Sequence, residues 1–318
     1  MQFIQFLLGF VILIKGADFL VLGSTSLGKR FGLSDLVIGL TVVSFGTSTP
    51  ELLVNLVSSV NGSAEIAIGN VMGSNIANIL LILGVSAAIY PLPITRNTYF
   101  IEIPFSLTAT LLVGFLANAT ISSATGPLII GRIDGLILLF FFLLFLGYVY
   151  ISTKEKKEKR FEKEYKTIAI SMSVGYVILG ILGLYFGGNW VVNGAVHYAQ
   201  FFNVSESLVG LTIISVGTSL PELVTSALAS FKKNTDIAVG NVVGSNIFNM
   251  LWILGLSAIV KPLPFNTISN IDIMMIVAAS TMLLVAVVIG KTPRISKWEG
   301  YVFIIIYIIY IYYLIQRG

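Results

Sequence analysis

The chain has no cysteine and a single histidine, His197. Disulfides and thiolate metal centres are therefore excluded, and zinc or copper is disfavoured because no imidazole lies near the motifs described below. Charge is scarce too: Asp, Glu, Lys and Arg make up 11% of the 318 residues, whereas 56% are hydrophobic. With a mean hydropathy of +0.94, that balance lies outside soluble globular composition and defines a polytopic helical membrane protein. The pI near 9.1 reflects loop lysines and arginines, and with no soluble basic domain nucleic acid is not an expected partner. The expectation is a protein of the lipid bilayer that is not an enzyme, with no cofactor and no obligate protein partner.

What the chain does have is apolar length. Crossing roughly 30 Å of hydrocarbon takes about 20 residues, and runs of that order lie at 3–22, 36–60, 66–90, 99–116, 128–150, 168–192, 208–231, 237–260, 271–289 and 300–315. The first run lacks a basic leader and has a counterpart in the second half, so it reads as a span rather than a signal peptide.

The chain also repeats itself. One gapless offset of 171 residues aligns Asp18 with Asn189, Gly23 with Gly194, Glu51 with Glu222 and Pro93 with Pro264. Between residues 69–93 and 240–264, 17 of 25 positions are identical, which makes the chain two copies of one unit. Five spans per copy is an odd number, so the second copy enters the membrane inverted. The expected fold is all-α: ten transmembrane helices as two inverted five-helix repeats, 1–151 and 167–318. Their core motifs lie at 41–93 and 212–264, and a charged linker at 152–166 joins the copies.

Basic residues orient the whole. With the N-terminus outside, the inner loops hold Lys29, Arg30, Arg96, the seven basic residues between Lys154 and Lys166, Lys232, Lys233, Lys291, Arg294 and Lys297, 15 of 19 in all. Lysine and arginine concentrate on the cytoplasmic side. Both termini are therefore expected outside a multi-pass protein of the cell membrane, with the basic linker in the cytoplasm.

Chemistry is expected where each copy interrupts its second span, at GTSTPE ending in Glu51 and GTSLPE ending in Glu222. Pro50 and Pro221 each remove a backbone donor and clash with the preceding turn, freeing carbonyls near Thr47 and Thr218. An ionised carboxylate in hydrocarbon is costly, and two close together are costlier still unless cations neutralise them. Two glutamates with the Thr47 and Thr218 carbonyls supply about six oxygens, the number a Ca²⁺ ion takes at the low end of its range. Na⁺ can use the same oxygens with help from hydroxyls. Ser44, Ser48, Ser215 and Ser219 lie on the broken turns, and Ser74 and Ser245 are their candidate partners across the helix interface. In GNVMGSNIANI and GNVVGSNIFNM, Asn78 and Asn249 lie at the depth of the glutamates and read as cation ligands. Asn75 and Asn246 read as helix-to-helix hydrogen bonders. Gly69, Gly73, Gly240 and Gly244 read as points of close helix approach.

These paired motifs resemble the two alpha-repeats of the sodium/calcium exchanger family, within the cation/calcium antiporter superfamily, over essentially the whole chain. The resemblance implies a ten-helix antiporter of the prokaryotic type that moves Ca²⁺ against Na⁺ by alternating access, with the first and sixth spans sliding as a pair. It places ion ligands at Thr47, Ser48, Glu51, Ser74 and Asn78, and at Thr218, Ser219, Glu222, Ser245 and Asn249. Some relatives, including potassium-dependent ones, carry aspartate where this chain has Asn249, so a site with two fixed charges and no K⁺ co-transport is expected. A proton-coupled calcium antiporter is the alternative.

Elsewhere, Lys15 and Asp18 are expected to pair along one helix face, and Asn55 to support Glu51. His197 is expected at the surface. Asp134, Glu102, Asp272 and Glu299 read as interfacial charges, and residues 140–142 and the tyrosines from 307 to 313 as lipid-facing or interfacial aromatics.

Overall fold

Inside a bilayer the backbone has no water to bond, so a spanning run satisfies its amides and carbonyls by closing into a helix. A computed structural model describes residues 2–119, 128–157, 168–201, 215–289 and 292–317. The first copy contains α1 (Gln2–Arg30), α2 (Asp35–Thr47), α3 (Thr49–Asn61), α4 (Ala64–Ile89), α5 (Thr98–Asn118) and α6 (Arg132–Lys157). The second contains α7 (Ile170–Phe201), α8 (Ser215–Thr218), α9 (Leu220–Phe231), α10 (Thr235–Val260), α11 (Ser269–Ile289) and α12 (Lys297–Arg317). Among the described residues, eight helices are long and apolar enough to cross a membrane, and α2 with α3 forms one further span bent by 47°. α8 and α9 are the described part of the remaining expected span, whose beginning lies outside the described residues. Most of the linker and Lys291 lie outside them as well.

Two short ladders fix the relation between the copies. β1 (Leu92–Pro93) pairs antiparallel with β4 (Arg294–Ile295), and β2 (Ile129–Ile130) with β3 (Leu263–Pro264). A single crossing, α5, separates β1 from β2, and α11 separates β3 from β4, so the ladders cap opposite ends of the bundle. Pro93 and Pro264 are equivalent in the repeat yet lie at opposite ends. The second copy is inverted relative to the first, as the odd span count requires.

Burial separates centre from periphery. The best apolar windows of α4 and α10 are 72% and 83% buried, against 44% or less in the other spanning helices. These two helices form the middle of the molecule, with α2, α3 and α9 packed on them. α1 and α7 form a long antiparallel pair with its own apolar cluster of Leu13, Ala17, Leu20, Val21 and Leu184. Their approach depends on glycine: a Cβ on Gly16 would lie 2.7 Å from the Leu184 nitrogen, and one on Gly187 2.6 Å from that of Leu13. α1 runs on to Arg30, beyond the apolar run ending at 22. Its extra turns bury hydroxyls against α7, with Ser26 Oγ 2.9 Å from Ser173 Oγ and accepting from the Ile168 amide at 3.1 Å.

Candidate cation-binding site

The two proline-bearing motifs break their spans at matching points. Ser48 has φ −82° and ψ 8°, and Ser219 has φ −88° and ψ 6°. Each then starts a new helix with proline in its first turn and a glutamate directly after it. Glu51 and Glu222 are each only 1% exposed, a position an acid keeps only with partners.

Those partners come from the opposite copy. Ser48 Oγ donates to Glu222 Oε1 at 2.8 Å and lies 3.0 Å from Ser245 Oγ, while Ser219 Oγ reaches Glu51 Oε1 at 3.4 Å. The second oxygen of each carboxylate has no hydrogen-bond partner, and the same is true of Asn78 Oδ1, Asn249 Oδ1 and Ser74 Oγ. All five atoms are buried, and leaving such groups unpaired costs about 1–3 kcal/mol apiece. Buried oxygens left bare, two of them on acids, are suited to a hard cation.

The amides show how this bareness is maintained. Asn78 Nδ2 donates to Asn246 Oδ1 at 2.9 Å, and Asn249 Nδ2 to Asn75 Oδ1, also at 2.9 Å. With both amide nitrogens engaged across the repeat, the oxygens are left free to accept. Asn75 and Asn246 are thus interhelical hydrogen bonders, as their place in the motif predicts. Asn78 and Asn249 each lie at the start of a wide π-type turn, Ala77–Ile82 and Phe248–Ile253. Such turns recur at functional sites because they re-aim side chains within a continuous helix.

Sequence reasoning missed Asn70, Asn241 and Ser226. Asn241 Oδ1 accepts from Thr47 Oγ1 at 3.1 Å, and its amide donates to Ser226 Oγ at 2.9 Å. In the other copy Asn70 Oδ1 accepts from Thr218 Oγ1 at 3.2 Å, and its amide donates to Asn55 Oδ1 at 2.6 Å and to the Glu51 carbonyl at 3.5 Å. Each asparagine ties the break of one copy to the helix after the break of the other. The signal was present, since the motif opens GN in both copies, with each asparagine four residues before Ser74 or Ser245 on the same helix face. Asn55 also donates to the Ala67 carbonyl at 3.0 Å, so it is bonded to α4 rather than to Glu51 itself.

Other expected residues sit differently. Ser44 Oγ donates to the Thr41 carbonyl at 3.1 Å rather than toward the acids. The reason is packing: its hydroxyl faces Gly244, where an added Cβ would lie 2.7 Å from it. The Ser215 side chain lies outside the described residues. Gly240 and Gly244 make the expected close contacts with α2, whereas Gly69 and Gly73 have no such neighbour among the described atoms. Asp18 pairs with Lys232 at the end of α9, not with Lys15, because a one-turn helix pair is worth only about 0.2–0.5 kcal/mol and a second cation is in reach. Asp134, Glu102 and Asp272 are buried rather than interfacial. Asp134 Oδ2 caps the Gly131 amide, Glu102 accepts from Tyr148, and Asp272 accepts from Tyr310 and Arg317. Tyr307, Tyr310 and Phe142 are likewise buried, while Phe140 and Tyr312 are exposed as expected, and so is His197.

A cavity of about 400 Å³ adjoins the site on the side of β2 and β3, bounded by Pro50, Val57 and Ser58 of α3, Leu184 and Asn189 of α7, and Thr218.

Fold and site together define a class: a membrane carrier of two inverted repeats, with broken helices meeting at a buried set of hard oxygen donors. The sodium/calcium exchanger protein family model matches residues 1–151 and 172–316, and the chain belongs to that family. The chain is 30% identical over 354 residues to the sodium/calcium exchanger MaX1 of Methanosarcina acetivorans, covering 98% of this chain and 97% of that protein. It is 35% identical over 264 residues to the inner membrane protein YrbG of Escherichia coli, covering 80% and 79%. Among solved structures it matches the sodium-calcium exchanger NCX_Mj, soaked with Na⁺ and Sr²⁺, with a TM-score of 0.79 and 33% identity over 97% of this chain and 96% of that one.

Proposed function

We propose that this protein is a secondary antiporter that exchanges Na⁺ for Ca²⁺ by alternating access through one midplane site. The observation that carries the reading is the set of five buried, unpartnered oxygens on Glu51, Glu222, Asn78, Asn249 and Ser74. Ser48, Ser219 and Ser245 stand in direct contact with the acids or with one another, and Thr47 and Thr218 contribute from the breaks. Ca²⁺ or Na⁺ neutralises the two carboxylates, so either ion permits the switch between faces, while the bare doubly charged site resists it because moving two ions past apolar walls is costly. That restriction couples the two fluxes. The α1–α7 pair, smooth with glycine along its contact, is the element that slides.

Asn249 leaves the site with two fixed charges, and we take exchange to be independent of K⁺. Orientation follows the basic loops, with both termini outside and the linker in the cytoplasm. The proton-coupled alternative is less favoured, because MaX1 and NCX_Mj are named for sodium and calcium. The experiment is uptake of radioactive Ca²⁺ into proteoliposomes loaded in turn with Na⁺, K⁺ or acid. Uptake should follow the outward Na⁺ gradient alone. Uptake driven by acid and indifferent to Na⁺ would transfer the assignment to proton coupling, and a requirement for K⁺ on the calcium side would remove the two-charge argument.

A further inference from the structure

The cavity beside α3 has an equivalent on the opposite side of the site, and there it is closed. Under the 171-residue offset Val57 and Ser58 correspond to Leu228 and Ala229, while Leu184, Gly188 and Val192 correspond to Leu13, Ala17 and Val21. These equivalents belong to one packed apolar cluster. One entrance stands open while its repeat-equivalent is shut.

The two entrances differ in charge at one position. Asn189 lines the open one. Its equivalent Asp18, on α1, is held by Lys232 at the C-terminal cap of α9. The next residue, Lys233, has a left-handed φ of 61° and lays its ammonium 5.8 Å from the centroid of the Tyr90 ring, which fastens the tip of this turn to α4. The turn is therefore tied to the C-terminal end of α4 while Lys232 reaches across to α1. At the open end the equivalents of Lys232 and Lys233 are Asn61 and Gly62, and no charged pair is encoded at the positions that match Asp18 and Lys232.

We propose that Asp18 is a gated cation-recruiting residue of the second entrance. Lys232 holds its carboxylate while that entrance is closed. When α1 draws away from α9, Asp18 takes the place on the wall that Asn189 holds in the open entrance, and its freed carboxylate attracts Na⁺ or Ca²⁺ to that face only. The tethered ammonium and the arriving cation compete for one carboxylate, so a cation on that face favours opening. The pair is partly solvated, with the Asp18 side chain 35% and the Lys232 side chain 43% exposed. A pair so exposed shifts a population by about two- to fivefold rather than locking it. This role rests on the alternating-access reading above.

The absence of native cysteine makes the test direct. Val57→Cys and Leu228→Cys sit at repeat-equivalent positions of the open and closed entrances, and each is labelled with a membrane-impermeant maleimide in proteoliposomes whose Na⁺-driven Ca²⁺ flux is measured in parallel. In the otherwise native chain Val57→Cys should label fast and Leu228→Cys slowly. Adding Asp18→Asn should raise Leu228→Cys labelling about two- to fivefold, lower that of Val57→Cys, and raise the half-saturating Ca²⁺ concentration on the Lys232 face alone. Lys232→Gln should raise the labelling without weakening Ca²⁺ on that face, because the carboxylate remains. The double exchange Asp18→Lys with Lys232→Asp should return labelling to its slow value. Unchanged Leu228→Cys labelling in Asp18→Asn, or an affinity loss equal on both faces, overturns the proposal. Absence of Na⁺-driven flux from the native chain refutes instead the exchange reading on which it rests.

Discussion

At the centre of the molecule the two copies present the same side chains: glutamates at 51 and 222, serines at 48 and 219, asparagines at 78 and 249. Toward the ends the equivalents part company, with Asp18 against Asn189, Tyr90 against Lys261, and Gly62 against Lys233. The difference follows from what each region faces. A carrier's central site meets the same ions from either side, so inversion can leave it alike, whereas each entrance meets only one compartment and is free to diverge. Even the second tier obeys this gradient. Asn70 and Asn241 match, while their partners Asn55 and Ser226 already differ.

The largest effect should test the symmetry of the centre. Glu51→Gln and Glu222→Gln should each reduce Ca²⁺ exchange by at least ~30-fold, since removing one member of a buried charged set costs about 2–5 kcal/mol. Both variants should still migrate as folded protein in size-exclusion chromatography. An order-of-magnitude inequality between the two would break the comparison. Next, Asn78→Ala and Asn249→Ala should raise the half-saturating Ca²⁺ concentration about tenfold each, the value of one well-placed oxygen, and flux titrations would register it. The second tier should separate the copies: Asn70→Ala removes contacts to Thr218, Asn55 and the Glu51 carbonyl, whereas Asn241→Ala removes those to Thr47 and Ser226. Affinity should fall about fivefold for a single lost hydrogen bond, and further in Asn70→Ala than in Asn241→Ala. Smallest of all, Tyr310→Phe removes a 2.9 Å bond to buried Asp272. It should lower the melting temperature by about 2 °C with exchange kinetics unchanged, and altered kinetics would mean that the periphery is not separate from the site.

Much of this was legible in the sequence, for identifiable reasons. Hydrophobic length alone locates the spans seen among the described residues, and the repeat alone identifies Glu51 and Glu222 as a pair, because identical residues at a fixed offset need no geometry to be matched. Proline beside a carboxylate marks the breaks. What stayed hidden depends on which groups of the two copies touch. Thr47 meets Asn241 and Thr218 meets Asn70 across 194 and 148 residues, separations over which no local period operates. The Asp18–Lys232 pair was masked by a nearer candidate, Lys15, one helical turn away. The buried acids near span ends were misjudged because position along a helix gives depth, not which face packs against a neighbour. Tyr148 and Tyr310 arrive from the following helix to bond Glu102 and Asp272, and that packing is tertiary.

The reading that Glu51 and Glu222 share their cations is tested most directly by equilibrium binding of radioactive Ca²⁺ to the purified protein while Na⁺ is titrated in, in the native chain and in each single glutamine variant. The expected result is Ca²⁺ binding that Na⁺ displaces competitively and that disappears in Glu51→Gln and in Glu222→Gln alike. High-affinity Ca²⁺ binding retained by either variant, or Ca²⁺ and Na⁺ bound together without competition, would contradict a shared site.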